Sequence, residues 1–189
     1  MEQEVPDGGS VIGTYRYIRY EDPADAFRPY DPWFPTVASV VITLIQDRLP
    51  NAVVEHVGSS AIPECDGKGV VDLMLLYEPG GLDVARRVLY VMGFQRHTGP
   101  KAHPDERPVF IGTIELDGEP FRLHVHVIPL ESPEVADQLH FRDVLRAHPE
   151  LVTEYVAVKR EALVQGVRDS HAYNCLKDPF IKRMLALGR

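Results

Sequence analysis

Long apolar runs are missing from this chain: nowhere do about 18 apolar residues follow one another, so no membrane-spanning helix is expected. Cysteine is scarce. Only Cys65 and Cys175 occur, without Cys-x-x-Cys or Cys/His ligand spacing, which excludes a disulfide scaffold and a zinc finger. With no cationic neighbour visible in the sequence, both thiols read as reduced and chemically idle. Positive charge is also short, because 20 Lys and Arg stand against 28 Asp and Glu for a net charge of -8. A broad nucleic-acid surface needs the opposite balance to displace counterions from phosphates, so only a local basic pocket inside an acidic shell is compatible. The acidic start, Met1 to Ser10, has no apolar core of the kind a secretory leader carries, and the chain is expected in the cytoplasm.

No repeat, low-complexity tract or long Ser/Gly/Pro linker divides the 189 residues, and a chain of this length can bury one core. Residues 1–29 read as an N-terminal arm with a mobile tip and at most one strand, within Val11 to Tyr20. Residues 30–189 read as a single domain. Pro32 fits a first helical turn, and Val37, Val40, Val41, Leu44, Ile45 and Leu49 recur at helical spacing until Pro50. Strands are expected over Ala52–Val57 and Gly69–Leu76, and a helix over Asp83–Met92. A hairpin is expected from Val109–Leu116 and Phe121–Ile128, turning at Asp117-Gly118. Helices are expected over Glu134–Ala147, Pro149–Gln165 and Ala172–Leu187. This order predicts an α+β fold, a mixed β-sheet covered on one face by helices with further helices at the C-terminal end. Oligomeric state is left open.

The segment between the first two interior strands carries the chemistry. His56-Val57-Gly58-Ser59-Ser60 ends a strand in a glycine and two hydroxyls, so backbone N–H groups can approach an anion while the serines donate to it. The same residues also serve ordinary turns. Asp72 sits inside the apolar run Val70 to Leu76, where an unpaired carboxylate is costly. It calls for a cation: a divalent metal completed by substrate phosphates, or a salt bridge to Lys68 or an arginine. In Arg122-Leu123-His124-Val125-His126-Val127 the alternation puts Arg122, His124 and His126 on one face and the aliphatics on the other. Beside Asp72, two imidazoles and a carboxylate would make a metal trio or a proton-transfer site; elsewhere they would be polar residues on a half-exposed sheet. His140, Arg142, Arg146, Lys159 and Lys177 are candidates for holding phosphate over the sheet or, equally, for a solvated helix face.

The string from Val54 through His56-Val57-Gly58-Ser59-Ser60-Ala61-Ile62-Pro63, with Lys68 and Val71-Asp72-Leu73, resembles the signature of the GrpB family (UPF0157) of the nucleotidyltransferase superfamily. Tyr30-Asp31-Pro32-Trp33-Phe34-Pro35 and the block His140 to Glu150 resemble its opening and carboxy-terminal helices, and Tyr155, Lys159, Tyr173 and Lys177 continue the match. The resemblance spans about residues 28–187. It implies a nucleotidyltransferase-like sheet with the glycine-serine turn facing phosphates and strand carboxylates facing Mg²⁺. His56, Gly58, Ser59, Ser60, Lys68, Arg142, Lys159 and Lys177 are thus expected around a nucleotide or other phosphorylated small molecule. Asp72, His124 and His126 are expected as catalytic and metal residues for Mg²⁺, Mn²⁺ or Zn²⁺. The superfamily's Asp-x-Asp pairing is absent, since Met74 holds the second position. A non-catalytic nucleotide- or metal-binding module is therefore the alternative. The hairpin also resembles the His-x-His-x-His strand of histidine-triad hydrolases, with Arg122 in place of the first histidine.

Overall fold

The computed structural model describes residues 14–21, 27–98, 103–164 and 170–187; the arm's expected mobile tip lies outside them. Helix α1 (Phe34–Gln46) follows a turn in which Asp31 accepts the Trp33 N–H at Oδ1 (2.9 Å) and the Phe34 N–H at its carbonyl (3.1 Å). That turn moves the helix start two residues past Pro32. Pro35 then occupies the first helical turn, where a missing N–H removes no intrahelical bond.

Five strands lie side by side in the order β1 (Tyr15–Ile18), β5 (Val109–Leu116), β6 (Glu119–Pro129), β3 (Val70–Tyr77) and β2 (Val53–Val57). A two-residue strand, β4 (Gln95–Arg96), pairs with the start of β5. Two residues are too few to show a periodicity, so no pattern announces this strand. Only β3 and β6 run parallel. The expected hairpin turns at Asp117 and Gly118, whose φ values of 50° and 87° match the right-handed twist of the strands it joins. Strands β2 and β3 are antiparallel neighbours, so residues 58–69 do not form a βαβ-like crossover.

Val71, Leu73 and Leu75 of β3 and Leu123, Val125 and Val127 of β6 face α1 and α2 (Leu82–Val91), and this layer is the main core. The opposite face is divided. Met74, Leu76 and Ile128 are sealed by Val135 and Leu139 of α3 (Pro133–Ala147), whereas Asp72, His124 and His126 open onto a cavity. Helices α4 (Pro149–Val164) and α5 (Ser170–Leu185) stack Tyr155 on Phe180, ring centres 5.0 Å apart, over Ile62 and Cys65 of the β2–β3 connection. Helices therefore lie on both faces of the sheet and not on one, because the carboxy-terminal trio buries its own apolar surface on that connection. Among the described residues no helix is long and apolar enough to cross a membrane.

Gly112 of β5 lies against Phe94, where a Cβ would come within 2.9 Å of Cδ1. Phe94 is buried and cannot step aside. Gly112→Ala is expected to cost about 1–3 kcal/mol by overpacking, seen as a lower denaturant midpoint with an unchanged slope.

Candidate functional site

The parallel register of β3 and β6 sets Asp72 opposite His124, with His126 two residues further on the same face. His124 Nδ1 lies 3.6 Å and His126 Nε2 3.5 Å from Asp72 Oδ1, and the three candidate ligand atoms fall within 4.8 Å of one another. Asp72 thus pairs with the two imidazoles, where the sequence had left Lys68 or an arginine as the alternative. Burial lowers the His124 pKa to about 4 against the opposing field of Asp72, so the ring is neutral near pH 7. At Asp72 burial acts to raise the pKa, but the His126 hydrogen bond and the fields of His124, His126 and His56 outweigh it and hold the carboxyl below its ordinary value. His124 Nε2 is 2.9 Å from the Tyr20 hydroxyl. In the tautomer with the proton on Nε2, donated to Tyr20, the Nδ1 lone pair is available to a cation shared with Asp72. Tyr20 belongs to the irregular arm, which offered no pattern by which to find it.

The turn above this trio is built around Gly58, whose φ of 69° and ψ of -170° belong to glycine alone. A single 3-10 turn, Ser59–Ala61, follows it. The two serines then part company. Ser60 is 2% exposed, accepts the Asp72 N–H at 3.3 Å and lies 3.0 Å from His56 Nε2, so its hydroxyl is spent inside the protein. His56, pushed down to about 4 by burial, supports Ser60 and does not line the cavity. Ser59 Oγ instead accepts from Lys159 Nζ at 3.1 Å.

Lys159 is buried to 2% exposure. Its ammonium also reaches Cys65 Sγ at 3.1 Å and the Asp66 carbonyl, and sits 4.5 Å from the centre of the Tyr155 ring. Burial lowers its pKa, with Cys65 and Asp66 opposing. The expectation that neither thiol has a cationic neighbour is therefore corrected for Cys65. The pair is 94 residues apart in sequence, beyond the reach of any local pattern.

Lys68 and Lys177 bracket the Tyr173 ring, with Nζ 5.0 and 4.6 Å from its centre. Burial, then Lys68 and Lys159, lower Lys177 to about 8 despite the field of Asp72. Arg142 lies apart from this group. Its guanidinium donates to Glu55 at 2.8 Å and to the His56 carbonyl at 3.0 Å, tying α3 to β2 outside the cavity. The histidine cluster and the lysines line one cavity of about 460 Å³, a size suited to a small ligand. His97, His103, Gln138 and Asn174 also line it, none of them singled out by the sequence.

The structure resembles that of the conserved protein GrpB from Enterococcus faecalis, with TM-score 0.66 and 22% identity over 84% of this chain and 93% of that one. It also resembles the Cid1 poly(U) polymerase with Mg 3'-dATP bound, at TM-score 0.54 and 14% identity over 79% of this chain and 49% of the polymerase. These likenesses establish a nucleotidyltransferase-like α+β fold. A UPF0157 protein of Pseudomonas aeruginosa is 32% identical over 173 residues, 90% of this chain and 70% of that protein. A dephospho-CoA kinase of Mycolicibacterium paratuberculosis is 27% identical over 177 residues, and the match spans 43% of its length. The family model described as GrpB protein matches residues 26–187, taking in the turn at Gly58 and both flanking blocks, and this chain belongs to the GrpB family.

Proposed function

We propose that this chain binds a nucleotide or another phosphorylated small molecule with a divalent metal ion in the 460 Å³ cavity, and transfers a nucleotidyl or phosphoryl group from it. The observation that carries the proposal is that the Asp72–His124–His126 cluster and three lysines line one cavity. An ionised carboxylate and a neutral imidazole are the forms a metal needs, so Asp72, His124 and His126 would hold the ion. A bound ion supplies charge neutralisation and polarisation of a phosphoryl oxygen. Lys68 and Lys177 would pair with phosphate oxygens, and Ser59 with the Gly58 turn would hydrogen-bond to them. Titration calorimetry with Mg²⁺, Mn²⁺ or Zn²⁺ and a nucleotide panel tests the proposal. Heat from at least one pair, lost in Asp72→Asn, is expected; silence from every pair overturns it.

Lys177 gives the reading a pH signature. The free side chain carries its charge below about 8, so an anionic ligand meets an ammonium at pH 7 and a mostly neutral amine at pH 9. Affinity is expected to fall by about tenfold across that interval, the weight of one charge-assisted hydrogen bond, and Lys177→Met should flatten the fall. Binding isotherms at the two pH values check this.

Met74 favours a second reading, a binding module without turnover. It holds the position of the absent second carboxylate and is fully buried against Val57, Leu76 and Ile128. On this reading labelled nucleoside triphosphates bind and remain intact. Turnover that Asp72→Asn abolishes would exclude it.

A further inference from the structure

Resting on the metal reading of the Asp72 wall, we infer that the ion held there is a nitrogen-preferring transition metal of the zinc class, not Mg²⁺, and that His103 is its fourth protein ligand, with a fifth position left for a phosphoryl oxygen. Mg²⁺ keeps an octahedral shell of oxygens and several waters, and is usually held by one or two carboxylates with substrate phosphates. This wall offers one carboxylate and two imidazoles. Imidazole nitrogen suits zinc, iron, cobalt or nickel, and the set of two histidines and one carboxylate is a recurring arrangement for such ions.

His103 enters the cavity from the segment before β5 and meets His126 edge-on, ring centres 6.1 Å apart and planes at 86°. The accepted neighbour His124 lies no nearer, at 6.5 Å and 66°. Two imidazoles sharing one ion, each nitrogen about 2.1 Å from it, have ring centres roughly 5–6 Å apart. Both pairs are therefore about an ångström from ligating separation. His103 lies outside the 4.8 Å cluster and has to swing towards the ion, and its exposed position leaves room for that rotation. His97 also lines the cavity, its ring centre 6.1 Å from that of His103, and its buried Nδ1 has no hydrogen-bond partner among the described residues.

The test uses the metal alone. The chelator-stripped chain is titrated with Zn²⁺ in competition with a chromophoric chelator, and separately with Co²⁺, whose visible absorption reports coordination. One Zn²⁺ per chain is expected, retained under a large excess of Mg²⁺. His103→Ala, an exposed change that leaves the core intact, is expected to weaken Zn²⁺ by about tenfold or more and to alter the Co²⁺ spectrum, with His103→Asp restoring part of both. No Zn²⁺ uptake by the unmodified chain would overturn the metal reading itself. Uptake that His103→Ala leaves unchanged in affinity and spectrum would overturn only the role of His103, and displacement by Mg²⁺ would overturn the assignment of ion class.

Discussion

Replacing Lys159 by alanine is expected to cost about 2–4 kcal/mol of folding stability, because buried acceptors lose their donor at once and a cavity opens behind them. The ammonium, 2% exposed, serves the Ser59 hydroxyl, the Cys65 sulfur and the Asp66 carbonyl and lies over the Tyr155 ring. These partners belong to the β2–β3 connection, while Lys159 comes from α4, so one side chain fastens the carboxy-terminal helices to the turn that faces the ligand. Lys159→Met separates the two losses. It fills the volume without donating, and it also relieves the cost of burying a charge, so it is expected to fall between wild type and alanine. The pH dependence gives an independent check. Burial lowers the Lys159 pKa in the folded chain, so between that value and 10.5 the unfolded chain binds more protons and folding gains as the pH rises. Below the folded value both states are protonated, and the whole cost of burying the charge is present. Wild type should therefore gain stability relative to Lys159→Met as the pH approaches 10.5. Denaturant unfolding of both proteins across that range is the measurement; parallel curves would mean that the side chain is not buried as an ammonium.

Much of the fold was legible because its signals are local. The i, i+3, i+4 recurrence from Val37 to Ile45 needs only one helix, and Asp117-Gly118 specifies its turn whatever surrounds it. The alternation in β6 correctly separated His124 and His126 from Leu123, Val125 and Val127, since a strand has two faces and only one was apolar. The juxtaposition of Asp72 with His124 was a different matter. It depends on β3 and β6 pairing in parallel and in register across the 51 residues between Asp72 and His124, which no local pattern encodes. The Gly-Ser-Ser motif gave its two hydroxyls equal standing, yet tertiary partners separate them: Ser60 turns to His56 and the Asp72 N–H, Ser59 to Lys159 from a distant helix. Arg142 could not be assigned to cavity or surface until Glu55, from another strand, was placed beside it. Tyr20 and His103 were missed because irregular segments carry no periodicity against which a functional residue stands out.

Gly58→Ala is expected to cost about 2–5 kcal/mol, the sum of a backbone conformation closed to other residues and a steric conflict with the site's own carboxylate. At φ 69° and ψ -170° an alanine is strained before any neighbour is considered. Its Cβ would then lie 2.5 Å from Asp72 Oδ2 and 3.0 Å from Asp72 Cβ. Neither side can yield cheaply. Asp72 is held in the middle of the sheet between β2 and β6, and its N–H is bonded to Ser60, so the β3 backbone stays where it is. Relief has to come from rotating the carboxylate away from His124 and His126 or from lifting the 58–60 turn off the strand. Either movement separates the groups proposed to hold metal from those proposed to hold phosphate, so metal affinity should fall together with stability. The double variant Gly58→Ala with Asp72→Ala isolates the conflict, because removing the carboxylate abolishes the shortest contact while the φ strain remains. Its loss of stability should be smaller than the two single losses added together, by about 1–2 kcal/mol for residues in direct contact. Strict additivity would mean that the glycine is there for its backbone alone and not to make room for Asp72.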